Sequence, residues 1–161
     1  MNFVEPVRDC KKIAQIKNML RGERRFRDLL LFTVWINTAL RVSDLLCLRI
    51  GHFMDDRQAI RKHFQIKEQK RGKRHEVSIN ASIRETFWEY LAAYPNIVSD
   101  PQHFLFFNTK TDDFTEPIGR GQTWKVITAI CRQVGLRGNF GTHRLRKTWG
   151  IMLACKGSTW L

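Results

Sequence analysis

At 161 residues, with 43% hydrophobic and 11% aromatic residues, the chain has the size and composition of one globular domain rather than a disordered segment. No apolar run approaches the roughly 20 residues of a membrane span, and Arg8, Lys11, Lys12 and Lys17 interrupt the N-terminus too closely for a signal peptide. The formal net charge of +13 points instead to a polyanionic partner.

In chain order, residues 11–20 space Ile13, Ile16 and Leu20 along one helical face that ends near Gly22. Residues 28–36 predict a strongly buried helix, broken at Asn37-Thr38. Ser43 is placed to cap a following helix that carries Leu45, Leu46 and Leu48. The period then changes from helical to alternating. Phe64 and Ile66 alternate with Gln65 and Lys67, and Val77 and Ile79 alternate with Glu76 and Ser78. Lys70-Arg71-Gly72-Lys73 between them is turn-like, so this stretch predicts an antiparallel hairpin.

Ser82 and Glu85 fit a capping box that opens a helix running to about Ala93, with Pro95 as its stop. Phe104-Leu105-Phe106-Phe107 is a short buried strand or an apolar turn, and residues 108–121 are a polar loop. Residues 123–134 are helical, with Gly135 as C-cap, and Thr142 can cap a last helix running past Met152. Trp124 and Trp149 fall at core spacing. The expected fold class is α+β, mostly helical, with one small antiparallel sheet.

Charge is concentrated rather than spread. Residues 57–74 hold eight Lys/Arg against the single acid Glu68, a local +7, and residues 117–161 hold eight Lys/Arg and no acid, a local +8. Residues 75–116 are net acidic, at −5. Two basic zones in a compact domain suit nucleic acid better than a uniformly solvated or membrane-facing surface. The four cysteines, Cys10, Cys47, Cys131 and Cys155, form no CxxC or Cys/His pair, so no metal and no cofactor is expected. Cys47 and Cys131 lie in apolar helical patterns and read as reduced core thiols of a cytoplasmic protein.

Two segments could carry chemistry. Thr38-Ala39-Leu40-Arg41-Val42-Ser43-Asp44-Leu45-Leu46 puts an arginine just before a helix, and Thr142-His143-Arg144-Leu145-Arg146-Lys147-Thr148 puts a histidine and an arginine on one face of a helix's first turn. Both place cations beside helix N-terminal amides, which suits a phosphate.

Together, in this order, the two segments resemble the arginine box (T-G-L-R-[IV]-S-[ED]-L-L) and the H-x-L-R-[HK]-T box of the tyrosine recombinase (phage integrase) family. The family also carries a lysine on a β-hairpin between the boxes. Counting back from Val77-Ser78-Ile79 puts that lysine at Lys70, with Lys73 as the near competitor. The resemblance spans residues 5–156 and implies the DNA breaking–rejoining catalytic-domain fold. It further implies site-specific recombination or integration of double-stranded DNA, as in a phage or mobile genetic element, with self-association on that DNA.

By this resemblance Arg41, Lys70, His143 and Arg146 are catalytic. Arg71, Lys73, Arg74, Arg144 and Lys147 contact DNA, and Asp44 supports the pocket. The family continues to a tyrosine nucleophile, whereas the only tyrosines here, Tyr90 and Tyr94, precede the second box and read as packing residues. The chain is therefore expected to be a single catalytic domain without the family's N-terminal clamp, cut short before its nucleophile. It would bind DNA but not cut it alone, and would reside in the cytoplasm of a bacterial or phage-infected cell. The alternatives are a non-catalytic DNA-binding remnant that occupies recombination sites, a type IB topoisomerase-like enzyme, and a basic RNA-binding module.

Overall fold

A computed structural model of the chain describes residues 10–135, apart from 39 and 112. The elements are α1 (Cys10–Gly22), α2 (Phe26–Thr38), α3 (Val42–Leu45), α4 (Ile50–Phe53), β1 (His63–Lys67), β2 (Arg74–Ser78), α5 (Ala81–Ala93), a 3-10 helix (Pro95–Ser99) and α6 (Arg120–Gln133). The mostly helical α+β reading holds for these residues. The helix expected after Thr142 lies outside them.

The apolar run predicted to be a buried helix is the centre of the fold. Every residue of α2 from Asp28 to Ile36 is buried, and the helix packs against α5 and α1. A helix apolar on all sides needs cover on all sides, and that need organises the neighbouring elements around it. The ion pairs Arg25–Asp28 and Arg27–Asp28, both at 3.0 Å, satisfy the one buried acid at its N-terminus.

A row of aromatic rings links the sheet to the rest of the core. Phe64 meets Phe53 at 5.3 Å between centroids, Phe53 meets Phe87 at 5.0 Å, and Phe87 stacks on Tyr90 at 5.9 Å. The row continues from Tyr90 to Tyr94 at 5.2 Å and from Tyr94 to Phe107 at 5.0 Å. Such pairs add roughly 0.5–1.5 kcal/mol each beyond their burial, so this row ties the hairpin firmly to α4 and α5. Tyr90 is fully buried and its hydroxyl donates to the Leu105 carbonyl at 2.6 Å. Both tyrosines are packing residues, as their sequence context suggests.

Five local expectations need correction. Ser43 does not cap α3: the helix opens at Val42, with Arg41 in the extended N-cap position and no side-chain cap. The helix expected to run through Leu48 is a single turn, because Cys47 and Leu48 bond back three residues to Asp44 and Leu45 at 3.2 Å. That tightening swings Cys47 outward, so it is exposed rather than a core thiol, whereas Cys131 is buried. The fourth concerns α5, which is capped by Asn80, whose side chain accepts the Ile83 N–H at 2.9 Å. Ser82 lies inside the helix, buried, and accepts from Lys17 Nζ at 2.9 Å.

Trp124 is the fifth. The buried face of α6 is formed by Thr123, Val126, Ile127, Thr128, Ile130 and Cys131, and Trp124, at the edge of that face, is 37% exposed rather than a core residue. Trp149 lies outside the described residues. The Phe104–Phe107 segment resolves into a buried turn flanked by two isolated bridges, Arg49↔Phe104 and Phe107↔Pro117. Gly135 follows α6 at φ +81, as a C-cap glycine should.

Lys17 yields a pH prediction. It is only 6% exposed, and burial, with Arg21 second, lowers its pKa from 10.5 against the opposing pull of Glu85 and Glu89. Between the lowered native value and the unfolded 10.5, the unfolded chain binds the proton that the native chain has shed, so stability rises with pH. Denaturant unfolding across that window should show wild type gaining on Lys17→Met as pH rises. A constant difference between the two would contradict the buried ammonium.

Candidate phosphate-binding site

The site is built where a one-turn helix meets a hairpin. Arg41 is half-buried at the N-cap of α3, and its carbonyl accepts the Leu45 N–H at 2.9 Å. Among the described residues, its guanidinium makes no hydrogen bond or ion pair. Leu40 and Val42 on either side are buried, which fixes the backbone from which that side chain leaves.

The expected hairpin forms, with Phe64 opposite Val77, Ile66 opposite His75 and Lys67 opposite Arg74. Phe64, Ile66 and Val77 face the core, so the stem is held by its inner face. The turn closes through Glu68 N–H to the Lys73 carbonyl at 2.9 Å and Gly72 N–H to the Glu68 carbonyl at 2.8 Å. Gly72 takes φ +66, a left-handed conformation that glycine adopts without strain.

Lys70, Arg71, Lys73 and Arg74 are all exposed on or beside this turn. Lys67 directly opposite Arg74 is a like-charge pair, unfavourable in isolation and relieved by an anion laid across it. The one acid of the segment, Glu68, is half-buried and lies 4.0 Å from His75.

Asp44 connects the two parts. It is 5% exposed, and its Oδ1 accepts the backbone N–H of Gln69 at 3.0 Å. The arginine segment and the lysine turn, 25 residues apart in sequence, are thereby joined by a hydrogen bond to a charged group. Gln69 Nε2 also donates to Cys47 Sγ at 2.7 Å. Beneath this join is a cavity of about 130 Å³ lined by residues that include Asp44, Cys47, His52 and Gln65.

Neither the titratable groups beside this join nor the tyrosines Tyr90 and Tyr94 are poised for nucleophilic work. Cys47 is exposed overall, but partial burial of its thiol, reinforced by Asp44 and opposed by Arg49, pushes that thiol up, which disfavours the thiolate. Burial lowers the His52 pKa, and its Nδ1 accepts the Arg49 N–H at 3.0 Å. Burial raises Tyr90 well above the usual phenol value, with Tyr94 adding to it, and also raises Tyr94 itself. Among the described residues no group of His, Cys, Asp and Glu could hold a metal ion. No helix among them is long and apolar enough to cross a membrane.

His143, Arg144, Arg146 and Lys147 lie outside the described residues. Sequence reasoning missed Gln69, because a turn glutamine carries no motif and its partners are distant in sequence. It also missed Lys12, whose Nζ donates to the Val134 carbonyl at 2.6 Å and so ties α1 to the end of α6.

A profile of the phage integrase family matches residues 8–159. The chain is 31% identical over 150 residues to the Bacillus subtilis (strain 168) protein named "Probable integrase/recombinase YoeC", covering 93% of this chain and 75% of that one. Among solved structures, XerA recombinase matches with TM-score 0.71 at 16% identity, over 96% of this chain and 51% of that one. XerH site-specific recombinase bound to palindromic difH substrate, in a post-cleavage complex, matches with TM-score 0.71 at 21% identity, over 96% and 43%. XerH in its pre-cleavage complex with difH substrate gives 0.69 at 21% identity, over 94% and 42%. These likenesses show the fold of tyrosine recombinase catalytic domains, and the chain spans about half the length of the solved recombinases or less.

Proposed function

Because this chain belongs to the phage integrase family, we propose that it is a catalytic domain for site-specific DNA recombination, acting through a 3′-phosphotyrosyl link. The observation that carries this reading is the Asp44–Gln69 bond, which holds the half-buried Arg41 segment against the turn that bears Lys70. In such a reaction negative charge gathers on the non-bridging oxygens of a pentacoordinate phosphorus. Two guanidiniums, Arg41 and Arg146, stabilise that charge by forked hydrogen bonds more strongly than they do the ground state.

Lys70 reaches the minor groove and protonates the leaving 5′-oxygen, with Lys73 as its competitor for the task. His143 assists proton transfer from the nucleophile or bonds the phosphate. Arg71, Lys73, Arg74, Arg144 and Lys147 hold the DNA backbone, and Asp44 supports the pocket. The nucleophile is a tyrosine other than Tyr90 and Tyr94. The setting is the cytoplasm of a bacterial or phage-infected cell, on double-stranded DNA, with copies of the chain associating there.

A second reading is favoured by one observation: Tyr90 is fully buried and hydrogen-bonded to the Leu105 carbonyl, and Tyr94 packs against it. On that reading residues 1–161 act as a DNA-binding protein that occupies recombination sites without cutting them. Both readings require DNA affinity that falls steeply with salt, because each phosphate contact releases a counterion. Fluorescence anisotropy with duplex DNA across a salt series is the test. Undetectable or salt-insensitive binding would count against both.

A further inference from the structure

The turn that carries Lys70 is closed at its backbone by the Glu68 N–H to Lys73 carbonyl and Gly72 N–H to Glu68 carbonyl bonds, but its side chains stand outside the core. Lys70, Arg71, Gly72 and Lys73 are exposed, and the strand pairing ends at Lys67↔Arg74. A long side chain on such a turn samples many positions and must lose that freedom whenever it meets a fixed point on DNA. Gln69, immediately before Lys70, limits the freedom at its root. Its backbone N–H donates to Asp44 Oδ1 at 3.0 Å and its Nε2 donates to Cys47 Sγ at 2.7 Å. Both acceptors belong to the short segment that begins with Arg41, and Asp44 is buried there, so its carboxylate is a fixed reference.

We infer that Gln69 is a positioning residue for Lys70: its two bonds to Asp44 and Cys47 set where the Lys70 ammonium meets DNA relative to Arg41. The inference rests on the reading of Lys70 as a DNA-contacting group under the proposed function. Gln69 is exposed and its side chain contributes no core contact, so Gln69→Ala should leave the fold intact.

The experiment is a double-mutant cycle on the 161-residue chain, read as affinity for a plain DNA duplex at low salt. Lys70→Ala should weaken binding, and Gln69→Ala should weaken it by roughly threefold when Lys70 is present but not when residue 70 is alanine. Cys47→Ser, which keeps an acceptor, should bind like wild type, and Cys47→Ala should behave like Gln69→Ala. A Gln69→Ala effect that is absent, or that adds fully to Lys70→Ala, overturns the positioning role while leaving Lys70 as a contact. A silent Lys70→Ala overturns the reading of Lys70 itself, and the inference with it. Hydrogen exchange gives an independent measure. The Gln69 amide should exchange about tenfold more slowly than those of Lys70 and Arg71, and lose that protection in Asp44→Ala but not in Asp44→Asn. Equal rates in wild type would overturn the inference.

Discussion

Arg41→Ala should lower DNA strand cleavage by about a hundredfold to a thousandfold in a protein that joins these residues to a tyrosine-bearing segment. Arg41 opens α3 from an extended N-cap between buried neighbours, and among the described residues nothing occupies its guanidinium. Under the proposed function, a charge so placed would serve a phosphate whose oxygens become more negative as the pentacoordinate state forms. Its loss should therefore appear mainly in the cleavage step, with DNA affinity changed only by about a few-fold. Single-turnover cleavage of a nicked substrate, measured beside equilibrium binding, separates the two effects. Near-normal cleavage by Arg41→Ala would remove the centre of the site. Arg41→Lys should recover little, since an ammonium cannot present the planar fork.

The second large effect belongs to the hairpin turn. Replacing Lys70, Arg71, Lys73 and Arg74 together with alanine should lower affinity for duplex DNA by roughly tenfold to a hundredfold at moderate salt. It should also flatten the dependence of log affinity on log salt by about three units. All four side chains are exposed, and the stem is held by the inner-facing Phe64, Ile66 and Val77, so the substitutions should leave the fold unchanged. Wild-type salt dependence in this variant would mean that DNA is held elsewhere, with the other basic zone, residues 117–161, as the first candidate.

Much of this was legible in the sequence where the signal is local. The run from Leu29 to Ile36 could only be a buried helix, and the alternation around Phe64 and Val77 fixed both the hairpin and its inner face. The two boxes around Arg41 and His143 named the family before any geometry was available. What was not legible depends on contacts between distant residues. Cys47 resembles a core thiol among leucines until the one-turn α3 tightens and swings it out. Ser82 resembles a helix cap until Asn80 takes that position and Lys17 arrives from α1. Gln69 resembles any turn residue until Asp44, 25 positions earlier, accepts its amide. Trp124 was misplaced for a simpler reason. It stands at the edge of the buried face of α6, beside Thr128 and Cys131, where helical spacing alone does not say how much of a side chain is covered.

The central claim is that these residues form a phosphodiester-cleaving pocket whose nucleophile is a tyrosine other than Tyr90 and Tyr94. The most direct measurement is suicide-substrate cleavage by the 161-residue chain, alone and joined to a tyrosine-bearing segment, with any covalent adduct mapped to its residue. The chain alone should form none, and the joined protein should form a 3′-phosphotyrosyl adduct on the added tyrosine while freeing a 5′-hydroxyl. An adduct on Tyr90 or Tyr94, or none in the joined protein despite intact DNA binding, would contradict the claim.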